Sequence, residues 1–239
     1  MSLPNVAAPL FNLTLPSNGQ NITFRPFLVK EEKILLMAKE GKDEESIVTA
    51  TIQILENCTN GEVNIKSLPS FDIEYLFLNI RAKSVGEEIE LRYRHSGGVN
   101  REGIECGTST PVLIDIEEVK VKFDDTHSNK IMLTDTVGIQ MKYPSIGTYE
   151  SMIHHSLEDV VEVIVDCIEF LYDNDQIYDE TTTSRKEYKD FIENLSQEQL
   201  QKINKFFETM PRIEHEIEYT CGGCGQKDKL TLRGLTDFF

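Results

Sequence analysis

The hydrophobic period of this chain changes at Pro26, and that change restricts the possible folds more than any other feature of the sequence. Before it, Leu10-Phe11-Asn12-Leu13-Thr14-Leu15 and Gln20-Asn21-Ile22-Thr23-Phe24 alternate apolar and polar residues, the period of two expected of strands. Between them Pro16-Ser17-Asn18-Gly19 supplies a turn, with Asn-Gly able to take the positive φ a hairpin needs. Pro26 has no N–H to continue a ladder and holds Arg25 extended. From Leu28 onward Leu28, Val29, Ile34, Leu35 and Leu36 outline an apolar helical surface, and Gly41 fits its end. The stretch reads as a rigid joint between a hairpin and a helix.

The two periods keep trading places along the chain. A second helix is expected from Lys42 or Asp43, with Ile47, Thr51, Ile54, Leu55 and Cys58 on one face and Asn60-Gly61 closing it; a third follows Leu68-Pro69-Ser70 to about Lys83. Glu88–Tyr93, Val112–Ile116, Val119–Phe123, Ile131–Leu133 and Val137–Met141 read as strands of a β-rich middle that ends before Pro144, with His95–Thr110 as a loop or knuckle. From Ser156, with Asp159 completing a capping-box-like start, the residues Leu157, Val160, Val161, Ile164, Cys167, Ile168 and Leu171 fall at helical spacing opposite a row of acids. Asp173–Ser184 reads as a mobile acidic connector, and Ser184 with Glu187 and Ser196 with Gln199 start two more helices. Ile213–Tyr219 and Lys229–Leu232 form a last pair of strands. The expected architecture is therefore α+β: an N-terminal β-hairpin, two helical sets around a β-rich middle, and a C-terminal β-hairpin. A division into residues 1–145 and 146–239 is expected, or one continuous domain. Cys58 and Cys167 continue apolar stripes and are expected in the core.

At 239 residues with 39% hydrophobic content, the chain has material for one large domain or two small ones. Its 41 acids against 24 Lys and Arg leave a net charge of −17, which repels free duplex DNA and anionic membranes and favours basic partner surfaces. No apolar run approaches a membrane span, and no basic segment followed by an apolar one opens the chain, so neither a membrane anchor nor a signal peptide is expected. Five cysteines make an odd count without a dense framework, which points away from a disulfide scaffold and towards synthesis in the cytoplasm.

The sharpest chemical pattern is Cys221-Gly222-Gly223-Cys224-Gly225 at a strand tip. Two intervening residues let both thiolates meet one ion, and the glycines permit the positive φ and close backbone approach of a zinc knuckle. A redox pair uses the same spacing but sits at a helix N-terminus, whereas strands flank this one. One pair supplies two of four ligands. His95 and Cys106 are the best candidates for the others, because Glu88-Ile89-Glu90-Leu91 before His95 loosely echoes Glu216-Ile217-Glu218-Tyr219 before Cys221. His215 is an alternative at an awkward distance along its strand, and a metal-free turn left from an older site is the bland reading. Zinc held this way staples two hairpins and leaves no open catalytic position. No acid–base pair, phosphate-binding Gly-rich loop, G-x-S-x-G elbow or H-E-x-x-H motif is present. His154-His155 reads as a solvated helix start and His127 as a solvent-facing turn residue.

Phe24, Arg25, Pro26 and Phe27 at the joint, and Phe238 with Phe239 at the C-terminus, are candidate partner-binding residues, since a buried aromatic can anchor an interface. Each has an inward alternative: the rings close this protein's own core, and Arg25 satisfies groups at the joint.

The run from Pro9 to Ala38 resembles the N-terminal signature of the baseplate-hub protein family of T-even-type tailed bacteriophages, which includes a hub subunit and a related hub assembly factor. Ile73–Glu87, Leu113–Val119 and Gly234–Phe239 resemble further stretches of that family. The resemblance spans the chain and carries no catalytic set. It implies a non-enzymatic component or assembly factor of a contractile-tail baseplate hub. Such a protein binds other hub proteins in the host cytoplasm and stays in the virion tail if retained. The knuckle offers a second class, a zinc-ribbon-like adaptor for host protein or nucleic acid, which the net acidity disfavours for nucleic acid.

Overall fold

The hairpin and the helix on either side of Pro26 are both present in the computed structural model, which describes residues 6–41, 44–95, 103, 106–146, 148 and 160–238. Strands β1 (Phe11–Thr14) and β2 (Asn21–Phe24) pair antiparallel, with Phe11 opposite Phe24 and Thr14 opposite Asn21. Leu15 N–H donates to Gln20 O at 2.8 Å to close the turn, where Gly19 takes φ +71°. Helices α1 (Val29–Gly41) and α2 (Glu44–Cys58) follow. Helix α3 (Ser70–Val85) buries Phe71, Ile73, Leu76, Phe77, Leu78 and Ile80. So many buried positions in one helix wrap around more than one face, which makes α3 a central element and not a surface one. Asp72 on its first turn is fully buried and accepts bonds from the Ser17 N–H (3.1 Å) and hydroxyl, which pins the hairpin turn to α3.

Strands β3 (Glu88–Arg94) and β4 (Ser109–Asp115) pair antiparallel from Glu88↔Asp115 to Arg94↔Ser109. Strand β5 (Val121–Lys122) lies on the edge of a three-stranded sheet of order β11-β10-β5, in which β10 (Arg212–Thr220) and β11 (Lys227–Arg233) form the C-terminal hairpin. A four-stranded sheet runs β6 (Lys130–Met132), β7 (Val137–Met141), β8 (Ile168–Asp173), β9 (Gln176–Asp179), all antiparallel. Helices α4 (Val160–Asp166), α5 (Arg185–Glu193) and α6 (Gln197–Thr209) accompany it in sequence. The α+β class and the two terminal hairpins are thus as expected.

The expected division at residue 145 is replaced by a different grouping. One unit holds residues 1–63, 71–122 and 212–239, and the other holds 64–70 and 123–211. The reason is β10, whose first residues pair with β5 (Arg212↔Lys122, Ile213↔Val121) and so draw the C-terminal hairpin into the first unit. Part of that unit's core gathers Leu78, Ile89, Val112, Ile114, Ile213, Leu232 and Phe238; the second unit's gathers Ile139, Met141, Ile164, Cys167, Ile203 and Phe206.

The helix expected to run from Ser156 through Leu171 is also corrected. Residues 151–159, with His154, His155, Ser156 and Asp159, lie outside the described residues, and the helix that is described stops at Asp166. Ile168–Asp173 is instead strand β8, paired on both sides with β7 and β9. Its Ile-Glu-Phe-Leu-Tyr composition favours a half-buried strand, and ladder bonds to two neighbours outweigh the helical spacing of Cys167, Ile168 and Leu171. Asn174, at φ +51°, begins the two-residue turn into β9, so the expected mobile connector contains an ordered hairpin. Among the described residues no helix is long and apolar enough to cross a membrane.

Candidate metal centre

His95 follows β3 directly, and its N–H donates to Thr108 O at 3.1 Å, one step beyond the Arg94↔Ser109 pair. The β3–β4 ladder therefore carries His95 and Cys106 to the same end of one hairpin. At the tip of the other, Thr220 faces Lys227, Cys221 N–H donates to Gln226 O at 2.8 Å, and Gly225 N–H donates to Cys221 O at 2.9 Å. Gly225 takes φ +76°, a conformation that suits a residue without Cβ. Threonines join the two tips. Gly222 N–H donates to Thr110 Oγ1 at 3.1 Å, and a Cβ placed on Gly223 would stand 2.1 Å from Thr108 Oγ1 and 3.2 Å from Cys106 Sγ. Glycine at 223 is thus required by space and not by its backbone angle.

The result is a convergent group: His95, Cys106, Cys221 and Cys224 place one ligand atom each within 4.8 Å of all the others. Cys106 Sγ and Cys221 Sγ are 3.6 Å apart, and Cys224 Sγ is 3.4 Å from His95 Nδ1. A tetrahedral ion with bonds of about 2.3 Å to sulfur and about 2.05 Å to nitrogen has ligand–ligand edges of about 3.8 Å and about 3.5 Å. Both edges lie close to these, while a disulfide needs a sulfur separation of about 2.05 Å. His95, Cys106 and Cys221 are 4%, 2% and 1% exposed, so a bound ion would be screened from water on most sides.

The electrostatics suit anionic sulfur. The Thr108 hydroxyl, followed by His95 and the Thr108 N–H, brings the Cys106 thiol down to about 6. Backbone N–H groups of Cys224 and Gly223 outweigh burial at Cys221 and lower it too. At Cys224 the Gln226 N–H pulls downward, but burial and the neighbouring Cys221 and Cys106 push the thiol up. His95 is raised by its bond to Cys106, against the effect of burial. Three sulfurs crowd together, so the negative charge that the first two readily accept is resisted at the third, and a cation would relieve that conflict. Cys58 and Cys167 behave oppositely: burial pushes their thiols to about 11 and about 12, as expected of core cysteines.

All four expected ligands are therefore brought together, and His215, the alternative, is not among them. With four protein ligands the site is closed, the arrangement of a structural and not a catalytic metal. The sequence reading did not single out Thr108, Thr110 or Asp228, whose Oδ2 lies 3.6 Å from His95 Nε2. Cys106-Gly107-Thr108-Ser109-Thr110 does place hydroxyls beside a ligand, but nothing in the chain order says which of them meets the other hairpin.

Of the partner-binding candidates, Phe24, Arg25 and Phe238 point inward. Phe24 is 1% exposed and stacks on Phe11 at 5.7 Å, and Phe238 is fully buried in the first unit's core. Arg25 pairs with buried Glu31 at 3.0 Å and donates to Pro26 O at 3.0 Å. Pro26 is half-buried, and half-buried Phe27 packs on Phe77 at 5.6 Å while its N–H donates to Ser84 Oγ. The inward alternative thus accounts for Phe24, Arg25 and Phe238 without a partner; Phe239 lies outside the described residues. His127 is also corrected. Its ring stacks on Tyr143 and packs on Phe206, and Nδ1 meets Thr209 Oγ1 at 3.0 Å, so it does not face solvent.

Comparison with curated proteins and with solved structures yields no match. The family described as T4 bacteriophage base plate protein matches residues 8–239, a span that takes in the joint, both hairpins of the metal cluster and the C-terminal core residues. On that match, across nearly its whole length, the chain belongs to the T4 bacteriophage base plate protein family.

Proposed function

We propose that this protein is a non-enzymatic component or assembly factor of the baseplate's central hub, and that it acts through noncovalent contacts with other hub proteins. The observation that carries this reading is the family match over residues 8–239, joined to a four-residue Cys/His cluster, among the described residues, that is closed. A surface of net charge −17 suits docking to basic faces of neighbouring subunits. Binding of this kind orders an assembly by stabilising the competent arrangement over free subunits, with no covalent step. The protein works in the host cytoplasm during assembly and remains in the virion tail if it is a permanent subunit.

In the same reading the four-ligand centre holds zinc. Cys106, Cys221, Cys224 and His95 form a Cys₃His set, a common structural zinc arrangement, and the ion supplies cross-linking of the two hairpins.

Mass spectrometry of baseplate intermediates and mature tails from infected cells tests the hub reading. The protein is expected with other hub proteins in at least one of the two, and its absence from every tail intermediate would sink the assignment. For the metal, purified protein is expected to carry one zinc per chain. The paired Cys221→Ser, Cys224→Ser replacement should abolish it, and a metal-free wild type would refute that part.

A further inference from the structure

The two ring nitrogens of His95 have different neighbours. Nδ1 lies 3.4 Å from Cys224 Sγ, inside the ligand cluster, while Nε2 lies 3.6 Å from Asp228 Oδ2. A neutral imidazole carries one proton, so only one nitrogen can offer a lone pair to a cation, and the other must keep N–H. A carboxylate outside the cluster decides which, because it accepts that N–H and holds the ring at one angle.

Asp228 is built for this task. It stands opposite Tyr219 in the β10–β11 register, one pair below the Thr220↔Lys227 closure of the hairpin. Its Oδ1 accepts the Lys229 N–H at 2.8 Å, which fixes the plane of the carboxylate, and its Oδ2 receives the Tyr219 hydroxyl at 3.4 Å. Tyr219 in turn meets the His95 ring edge-on, with centroids 6.5 Å apart. Backbone and aromatic contacts together leave Oδ2 beside Nε2, and a shift of a few tenths of an ångström makes a full hydrogen bond.

We propose that Asp228 is a positioning residue for the metal centre: it retains the proton on His95 Nε2 and so presents Nδ1 to the ion. The proposal rests on the zinc reading above. Asp228 is 43% exposed, so water shares its oxygens, and its effect belongs at the lower end of the range known for such outer carboxylates, about 10- to 100-fold in metal affinity.

The test uses the full chain loaded with zinc, as wild type and as Asp228→Asn, Asp228→Ala and Tyr219→Phe. A chromophoric chelator reads the rate of zinc loss, and ¹⁵N NMR of the His95 ring reads which nitrogen is ligated. In the wild type Nδ1 should be metal-bound and Nε2 protonated. Asp228→Ala should release zinc about tenfold faster. Asp228→Asn, whose amide oxygen still accepts the N–H, should fall between the two, and Tyr219→Phe should stay near wild type. Amide protection of β10 and β11 checks the fold; if Asp228→Ala loses the hairpin, the Asn variant decides the matter. Ligation through Nε2 in the wild type, or wild-type release rates from both Asp228 variants, would overturn the proposal while leaving the zinc reading intact. A wild type that takes up no zinc removes both.

Discussion

Arg25 and Glu31 show how single residues hold the joint at Pro26. Glu31 is fully buried, yet its carboxyl is lowered: burial alone would raise it, but the Arg25 guanidinium, the Leu28 N–H at 2.8 Å and Lys30 together prevail. The Leu28 contact is half of a capping box, with the third helical residue reaching back to the N-cap amide. Removing one partner of a buried pair strands the other, so Arg25→Ala should lose about 3–5 kcal/mol, read as a lower urea midpoint at unchanged slope. The pH sign follows. In the wild type Glu31 contributes fully above the ordinary carboxylate range, and the contribution fades as pH falls through its depressed folded value. In Arg25→Ala the buried carboxyl keeps only the exposed Lys30 and the Leu28 N–H and gains more by protonation, so the gap between the two proteins should narrow in acid. Gly223 is the second decisive residue. An added methyl would overlap Thr108 Oγ1 at 2.1 Å, and overpacking of this kind costs about 1–3 kcal/mol. Gly223→Ala should therefore lower the thermal midpoint and, on the proposed zinc reading, speed zinc loss. Thr108→Ala in the same chain should recover only part, because the Thr108 Cβ still lies 2.8 Å away.

At the scale of elements, the helices that announce their own starts are the ones local chemistry controls. Ser184 with Glu187 and Ser196 with Gln199 both form complete capping boxes. Each satisfies amides that the helix itself leaves unpaired, and Ser196→Ala should cost about 1 kcal/mol, measured as a shift in denaturation midpoint. The acidic row on α4 does more than solvate a face. Glu162 holds Lys189 at 2.9 Å and Arg185 at 2.6 Å, and Arg185 also reaches Asp166. Arg185 is about half exposed, so such pairs contribute at most about 1 kcal/mol each, less in salt. Strand β8 is the contrary case: its apolar residues also fit a helix, and only β7 and β9 on either side make the extended form win. A short apolar run is ambiguous by period, and partners far along the chain resolve it.

For the molecule as a whole, the candidate metal centre belongs to one unit only. Its four ligands lie in residues 71–122 and 212–239, while β6–β9 and α4–α6 form the other. On the proposed zinc reading, chelation should therefore raise hydrogen-exchange rates of amides in β3, β4, β10 and β11 and leave those of α5 and α6 near their starting values. Uniform acceleration across both units would show that the centre is not a local staple.

The chain by itself determined the α+β class, most strand and helix starts, the core role of Cys58 and Cys167, and the four residue types able to share an ion. These follow from period, capping chemistry, turn residues and the C-x-x-C spacing, all of which act within a few residues. Only the tertiary structure decided the rest. It made Ile168–Asp173 a strand, joined β10 to β5 across some ninety residues, turned Phe24, Arg25 and Phe238 inward, and set Thr108, Gly223 and Asp228 around the ligands. Those outcomes depend on which surfaces meet after the chain has closed long loops, and that information is absent from any local pattern.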